Sequence, residues 1–344
     1  MSSASRAMIN AFERRLERDL GRSVRITACR KPGQGLSNET FLLSLASDGE
    51  LPPPDIVVAR CVPESGLFES YDLSRQYRLL EALADTAVPV PRLLGWHGPA
   101  PGDAVPDAMY FMQFIQADIP PEGWFERGIL HEADPAERQC IGEALIGTLG
   151  AIHDVDWRAH KMEWLAPNGA ADQDLIKSDL DLWEMRLELG AGRNDPRLCD
   201  ALAWLTANQP ISSEIVLLHG DCKPSNYGFL NGQCVAVFDW ELARLGDPAE
   251  DVAWFLAHAW RDGPPLPGFP DRAEFCDIYS RKTGRSIRNL LYYEALSLFK
   301  FIVIGHLAMR HQADAEQEAL DTAFQAFHHG LSTVIASAEK EETA

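Results

Sequence analysis

The segment LLHGDCKPSNYGFLNGQCVAVFDWELARLGDP, residues 217–248, decides how the chain is read. An apolar run from Ile215 to Leu218 leads into His219-Gly220-Asp221. Two further apolar runs, Tyr227 to Leu230 and Cys234 to Trp240, flank Asn231-Gly232. Asn and Gly tolerate the positive φ that a two-residue turn needs at both central positions, so this text predicts a β-hairpin. His219 to Asn226 is then the loop that enters the hairpin, and Asp239 ends its second strand. Both Asp221 and Asp239 are expected at strand ends, facing a cleft.

That loop and hairpin offer four chemically distinct groups: carboxylates at Asp221 and Asp239, an ammonium at Lys223 and an amide oxygen at Asn226. The hairpin folds Asn226 and Asp239 together. A carboxylate beside an amide oxygen is hard-oxygen ligation suited to Mg2+, which takes few protein carboxylates and fills its other positions with phosphate and water. Asp221 is left to orient a hydroxyl group and receive its proton. Lys223, a compact point charge, either faces a transferring phosphoryl group or is simply solvated.

Working outward, the text before this segment is strand-like and the text around it helical. Val24 to Cys29, Thr40 to Leu45 and Ile56 to Val62 are short apolar or β-branched runs between Gly, Ser, Asp and Pro clusters. Ser70 to Leu83 places Leu73, Tyr77, Leu80 and Leu83 on one helical face. PVPRLLGW (89–96) and MYFMQFI (109–115) read as two more strands. Beyond Gln116, amphipathic helices are expected at about 135–153, 174–189, 196–208, 248–260, 271–283, 288–310 and 314–337. The expected fold is α+β and bilobal, with a small β-rich N-terminal lobe, a larger helical C-terminal lobe and a connector near residues 113–118. Ligands favour such junctions, so the sequence places the site between the lobes.

Composition narrows the function. Lys and Arg number 31 against 51 Asp and Glu, a formal charge of -20, which argues against a nucleic-acid or anionic-membrane partner because phosphates repel that surface. The seven cysteines are scattered without a C-x-x-C pair, as expected of reduced thiols in a cytoplasmic protein. The first twenty residues lack an apolar stretch of the secretory kind. The most lipid-like text, LSLFKFIVIGHLAM, is broken by Lys300 and His306, so no span is expected. His219 and Asp221 alone would permit a metal hydrolase, but no second His/Asp/Glu cluster completes a binuclear centre. Asp172, Asp174, Asp179, Asp181, Glu184 and Glu188 make an acidic helix that either receives a polycation or faces solvent.

The run H-G-D-x-x-x-x-N, followed by D-W-E and G-D-P-x-x-D, resembles the aminoglycoside phosphotransferase family, relatives of choline kinases and, more distantly, of protein kinases, whose catalytic loop has the same D-x-x-x-x-N spacing. The resemblance implies a protein-kinase-like domain over 25–338: a nucleotide-binding lobe at 1–113, a hinge at 114–118 and a catalytic and substrate lobe at 119–338. It implies a kinase that moves the γ-phosphoryl group of ATP, or GTP, with Mg2+, to a hydroxyl of a small molecule, in a monomer or homodimer. Asp221 would be the catalytic base, Lys223 its catalytic neighbour, and Asn226 and Asp239 the metal ligands. His219 and Asp251 would support the loop through backbone contacts, and His153, near a helix C-terminus, would serve the fold.

In the N-terminal lobe the resemblance places Gly35, Ser37 and Asn38 in a loop over the nucleotide phosphates, since Gly33–Asn38 lies between the first two strands. An ordinary hairpin turn is the other reading of that loop. Gln113 and Ile115 fall on the nucleotide side of the connector. Met109, Phe111, Met112 and Phe114 either line an adenine slot or are plain strand core. Where kinases pair a Lys with a Glu, this chain has Arg60 and Gln76. Arg60 can hold the α/β-phosphates bidentately, and Gln76 can accept from its guanidinium. Arg at this position is common in the branch that resembles the kinase-like domains associated with acyl-CoA dehydrogenases. That branch favours a catabolic hydroxy compound or hydroxyacyl derivative over an antibiotic. Gln76 in turn motivates a different reading, a nucleotide-binding regulatory module of the pseudokinase type.

Overall fold

The computed structural model describes residues 3–32, 39–46, 56–63, 72–100, 102–105, 107–166, 174–190, 192–212, 214–259, 263, 266–309 and 317–343. The chain divides into two compact units, Met1–Asp85 with Val90–Gln116, and Thr86–Pro89 with Ala117–Ala344. The architecture is α+β, with the strands of the first unit in one antiparallel sheet and the second unit mostly helical.

The first unit is a five-stranded sheet in the order β1-β2-β3-β5-β4. Its strands are β1 (Ile26–Arg30), β2 (Glu39–Leu45), β3 (Ile56–Cys61), β4 (Leu93–His97) and β5 (Met109–Gln113). Alternation sets its faces: Phe41, Leu43 and Leu45 of β2 point inward while their neighbours are partly exposed. The inner face is covered by α1 (Ser3–Leu20), whose Ile9, Phe12 and Leu16 are buried in the same cluster. Phe12 packs on Phe41 at 5.6 Å and edge-on to Phe111 at 6.1 Å. From the sequence one helix is expected in this unit, within Ser70 to Leu83, and no helix is placed at residues 3–20. Its apolar residues recur at helical spacing, but so sparsely that only the sheet beneath them gives them a partner. The second helix, α2 (Leu73–Leu83), starts where the Asp72 side chain accepts from the backbone N–H groups of Ser74 and Arg75.

The second unit holds α3 (Ile129–Glu132), α4 (Pro135–His153), α5 (Leu175–Leu189), α6 (Pro196–Ala207), α7 (Ala249–Ala257), α8 (Arg272–Thr283), α9 (Leu290–Met309) and α10 (Gln317–Thr343). Capping boxes open two of them, Asp134 with Glu137 on α4 and Asp271 with Glu274 on α8. The expected hairpin forms from β7 (Tyr227–Leu230) and β8 (Gln233–Val237), with Asn231 and Gly232 both at positive φ. The sequence missed the pairing of β6 (Val216–Leu218) with β9 (Arg244–Gly246), because three-residue strands carry no readable alternation. A backbone bond from Val237 to the Pro89 carbonyl, 2.8 Å long, ties residues 86–89 to this unit.

Helix α9 is apolar on nearly all sides, the pattern of a core helix, and it packs against α5, α6, α7 and α10. Among the described residues its Leu290–Ala308 stretch is long and apolar enough to cross a membrane, yet 72% of that window is buried inside the protein. Lys300 sits within it at 2% exposure because two carboxylates meet it: Asp179 of α5 and Glu250 of α7, each 2.6 Å from Nζ. Arg244 of β9 bonds the same two carboxylates, its Nε lying 3.1 Å from Asp179. Two cations and two carboxylates thus neutralise one another and tie four elements together. Of the acidic run on α5, Asp179 is thus an internal partner, whereas Asp174, Asp181 and Glu188 are exposed and Asp181 pairs with Lys177 at the surface.

Candidate active site

The loop after β6 has a shape that its sequence forces. Gly220 has φ +82°, and a Cβ there would lie 2.3 Å from the Leu242 carbonyl oxygen, so only glycine fits between His219 and Asp221. The turned backbone aims the N–H groups of His219 and Gly220 at the buried Asp251 carboxylate of α7, at 2.7 and 2.9 Å. Asp251 also accepts from His153 Nε2 at 3.2 Å, while Nδ1 of that ring faces the Tyr279 hydroxyl at 2.7 Å. A carboxylate can only accept, so the Nε2 of His153 carries its proton and Tyr279 donates to Nδ1. His153 and Asp251 therefore support the loop, in agreement with the roles expected of them.

His219 is committed in the same way. Its Nε2 donates to the Phe238 carbonyl at 2.8 Å, and its Nδ1 accepts from the Asp221 backbone N–H at 3.2 Å. Both ring nitrogens are used, and the ring is sandwiched with Tyr227 and Trp240. It has no free nitrogen for acid or base work.

Asp221, Lys223 and Asn226 come together. The Asn226 Nδ2 donates to the Asp221 carbonyl and to its Oδ2, both at 2.8 Å, which leaves the amide oxygen as the remaining acceptor of that side chain. Lys223 Nζ lies 3.3 Å from the same Oδ2 and 3.0 Å from Glu122. It is not a solvated side chain. The other oxygen, Oδ1, accepts from the indole Nε1 of Trp254 at 3.0 Å. Burial pushes the Asp221 carboxyl up, but the Lys223 ammonium foremost, with the Asn226 bond, outweighs it and holds it below its ordinary value. Burial likewise opposes the charge of Lys223, and Asp221 and Glu122 more than compensate, raising it above the usual lysine range. Cys222 is a neutral packing residue, its thiol pushed well up by burial and set against the Tyr227 hydroxyl.

Asp239 differs from expectation in one respect. The second strand ends at Val237, and Asp239 stands two residues later in left-handed conformation, φ 60° and ψ 59°. Phe238 N–H bonds the Asn226 carbonyl at 2.8 Å, in register with the pair Tyr227 and Val237, so the hairpin contact runs one residue past the strand before the chain turns at Asp239. That bond keeps the segments of Asn226 and Asp239 adjacent, and Asp239 contributes to the field that keeps Lys223 charged.

The remaining sequence candidates belong to the first unit. Arg60 is on β3, opposite Thr40 of β2 in register, and its guanidinium donates to Thr40 Oγ1 at 2.7 Å. Gln76 is buried on α2. Gln113 closes β5, and its N–H bonds the Arg92 carbonyl. Ile115 follows it, half-buried. Gly35, Ser37 and Asn38 lie outside the described residues. Sequence reading missed Glu122 and Trp254. Glu122 also accepts from the Ser225 hydroxyl at 2.9 Å, and nothing in its local text marks it. Trp254 carried a signal of its own: it stands three residues after Asp251, on the same face of one helix.

A family model described as the phosphotransferase enzyme family matches residues 28–283. Acyl-CoA dehydrogenase family member 11 of Rattus norvegicus is 28% identical over 287 residues, covering 79% of this chain and 35% of the relative. The chain thus spans about a third of the length of that curated relative. Among solved structures, a putative aminoglycoside phosphotransferase from Ralstonia eutropha superposes with a TM-score of 0.70 at 23% identity, covering 96% of this chain and 98% of that one. The GDP complex of an aminoglycoside 2'-phosphotransferase superposes with a TM-score of 0.59 at 15% identity, covering 96% and 99%. These likenesses show a kinase-like phosphotransferase fold.

Proposed function

Because the chain belongs to the phosphotransferase enzyme family, we propose that it moves the γ-phosphoryl group of ATP, or of GTP, to a hydroxyl group of a small molecule. The observation that carries this reading is the fixed, ionised Asp221 carboxylate, bonded by Asn226 and Trp254 and paired with Lys223. In the transfer the acceptor oxygen bonds to the γ-phosphorus and the bond from that phosphorus to the β–γ bridging oxygen breaks. The nucleoside diphosphate leaves, and the hydroxyl proton passes to Asp221. A carboxyl held below its ordinary value is a weak base, which suits a loose transition state in which alignment precedes proton transfer.

The donor set fits Mg2+. Asn226 keeps its amide oxygen available while its nitrogen is committed to Asp221, and Asp239 supplies a carboxylate from the adjoining segment. Bound there, the ion would neutralise phosphate charge. Lys223 would draw on the transferring group, and Arg60 would hold the α/β-phosphates, with Gln76, Gln113 and Ile115 as further nucleotide contacts.

For the acceptor we favour a catabolic hydroxy compound or hydroxyacyl derivative. The similarity to acyl-CoA dehydrogenase family member 11 supports that choice. So does α5, where Asp179 is committed to Arg244 and Lys300 and so does not serve as a polycation ligand. The test is ADP release over a panel of aminoglycosides, choline, hydroxy acids and hydroxyacyl-CoAs. Wild type should turn over at least one class, and Asp221→Asn should lose about 10²- to 10⁴-fold. Equal background from both with every compound would leave the nucleotide-binding regulatory module, the reading that Gln76 favours.

A further inference from the structure

The two oxygens of an isolated carboxylate are equivalent, but those of Asp221 are not. Oδ2 meets two donors, the Asn226 amide at 2.8 Å and the Lys223 ammonium at 3.3 Å. Oδ1 meets one, the Trp254 indole at 3.0 Å. The Asn226 bond and the Lys223 ion pair both engage Oδ2, whereas the indole is the one donor on Oδ1, which leaves Oδ1 the less engaged oxygen. We propose that Trp254 is a positioning residue whose indole N–H holds Asp221 with Oδ1 towards the acceptor hydroxyl, so that Oδ1 receives the proton. This rests on the phosphotransfer reading of the site.

The indole is placed to hold that orientation. Trp254 is 3% exposed, and its ring stands edge-on to Phe301 of α9 at 4.5 Å and 75°. Phe301 is itself packed against His258 at 4.6 Å and Phe327 of α10 at 5.2 Å. With its ring packed in this way, the indole cannot follow a carboxylate that rotates. Three residues earlier on α7, Asp251 holds the backbone N–H groups of His219 and Gly220. One face of one helix therefore fixes both the backbone of the loop and the orientation of its carboxylate. Indole Nε1–H is a donor only, so Trp254 orients Asp221 without exchanging a proton with it.

The test uses the full chain labelled with 15N. The protein has nine tryptophans, and Trp254→Phe, which keeps a ring and deletes the N–H, identifies the Trp254 indole signal by its loss. Asp221→Asn should then move that signal and leave the other indole signals in place. In ADP-release assays with a phosphorylated member of the panel, Trp254→Phe should lower kcat by up to about 100-fold, the scale of a 1 Å misplacement, with the KM for ATP unchanged and the thermal midpoint close to wild type. An indole signal indifferent to Asp221→Asn overturns the proposal, and so does a Trp254→Phe variant with the kcat of wild type. If wild type phosphorylates nothing in the panel, the phosphotransfer reading fails, and the orientation of Asp221 by Trp254 stands or falls on the indole signal alone.

Discussion

Replacing Asp251 by Asn changes one oxygen to an NH2 group and should disrupt the loop that carries Asp221. Asp251 is fully buried, and its two oxygens accept three bonds: His219 N–H and His153 Nε2 on Oδ2, Gly220 N–H on Oδ1. An amide has one acceptor oxygen. Its best orientation keeps the two bonds on the Oδ2 side and points the new NH2 at the Gly220 N–H. The lost bond was to a charged acceptor, about 1.5–3 kcal/mol, and leaving the half-buried Gly220 N–H without a partner costs up to about 1–3 kcal/mol more. Relief from burying a charge offsets part of this, so a net loss of about 3 kcal/mol is expected. At roughly 2–4 °C per kcal/mol for a domain of this size, the thermal midpoint falls by about 6–12 °C. Differential scanning calorimetry and urea unfolding measure both quantities. Asp277→Asn is the control, since its partner Arg281 is exposed, and it should stay within about 0.5 kcal/mol. A loss below about 1 kcal/mol for Asp251→Asn would show that the two loop N–H groups find other acceptors, and the account of the loop would be wrong.

Gly220→Ala places a methyl group on the Leu242 carbonyl in a left-handed residue, and it should cost roughly 2–4 kcal/mol in urea unfolding; an unchanged midpoint would refute the close approach. Lys300→Met removes one cation from a buried set of four charges, leaving Asp179 and Glu250 to share Arg244, so a loss of about 3–5 kcal/mol is expected by the same measurement. Acid should destabilise the second unit in a defined window. Burial opposes the Glu250 charge, but Arg244 and Lys300 bring its pKa down from 4.5 to about 2. A depressed carboxylate stabilises fully above its unfolded value and loses that contribution as pH falls through the folded one, so stability should decline between about pH 4.5 and 2. Stability curves for wild type and Glu250→Gln check this: the variant should be less stable at neutral pH and flatter through that window, and parallel curves would remove Glu250 from the explanation.

How much of this was legible in the text depended on how far apart the interacting residues are. The hairpin turns on Asn231-Gly232 alone, so turn chemistry sufficed for it, whereas the bond from Asn226 to Asp221, five positions away in one loop, was not read from the spacing. The five strands of the first unit and most helices of the second were readable from their apolar periods to within a few residues, but the short α3 was not expected and α10 runs to Thr343, beyond the expected end at 337. Helix α1 was readable only as charged text, because its buried face is narrow. Among the described residues of the acidic run on α5, only Asp179 departs from the expected alternatives, because composition cannot say which carboxylate turns inward. Asp179 does so because Arg244 and Lys300 arrive from β9 and α9. Arg60 was found at its strand position, but its bond to Thr40 depends on the register between β2 and β3.

The amino-acid order by itself determined the family, the two kinds of architecture along the chain and the placing of Asp221, Lys223 and Asn226 on one loop. All of these follow from near-neighbour spacing, hydrophobic period and the φ preferences of Gly and Asn. Tertiary packing alone decided that Trp254 bonds Asp221, that Lys223 is held by Glu122, and that Lys300 belongs to an internal ion network. Those contacts join residues 33 to 121 positions apart, as with Trp254 to Asp221, Lys223 to Glu122 and Lys300 to Asp179. A partner that distant leaves no period or spacing in the text, because it is the folded path of the backbone that brings the two groups within bonding distance.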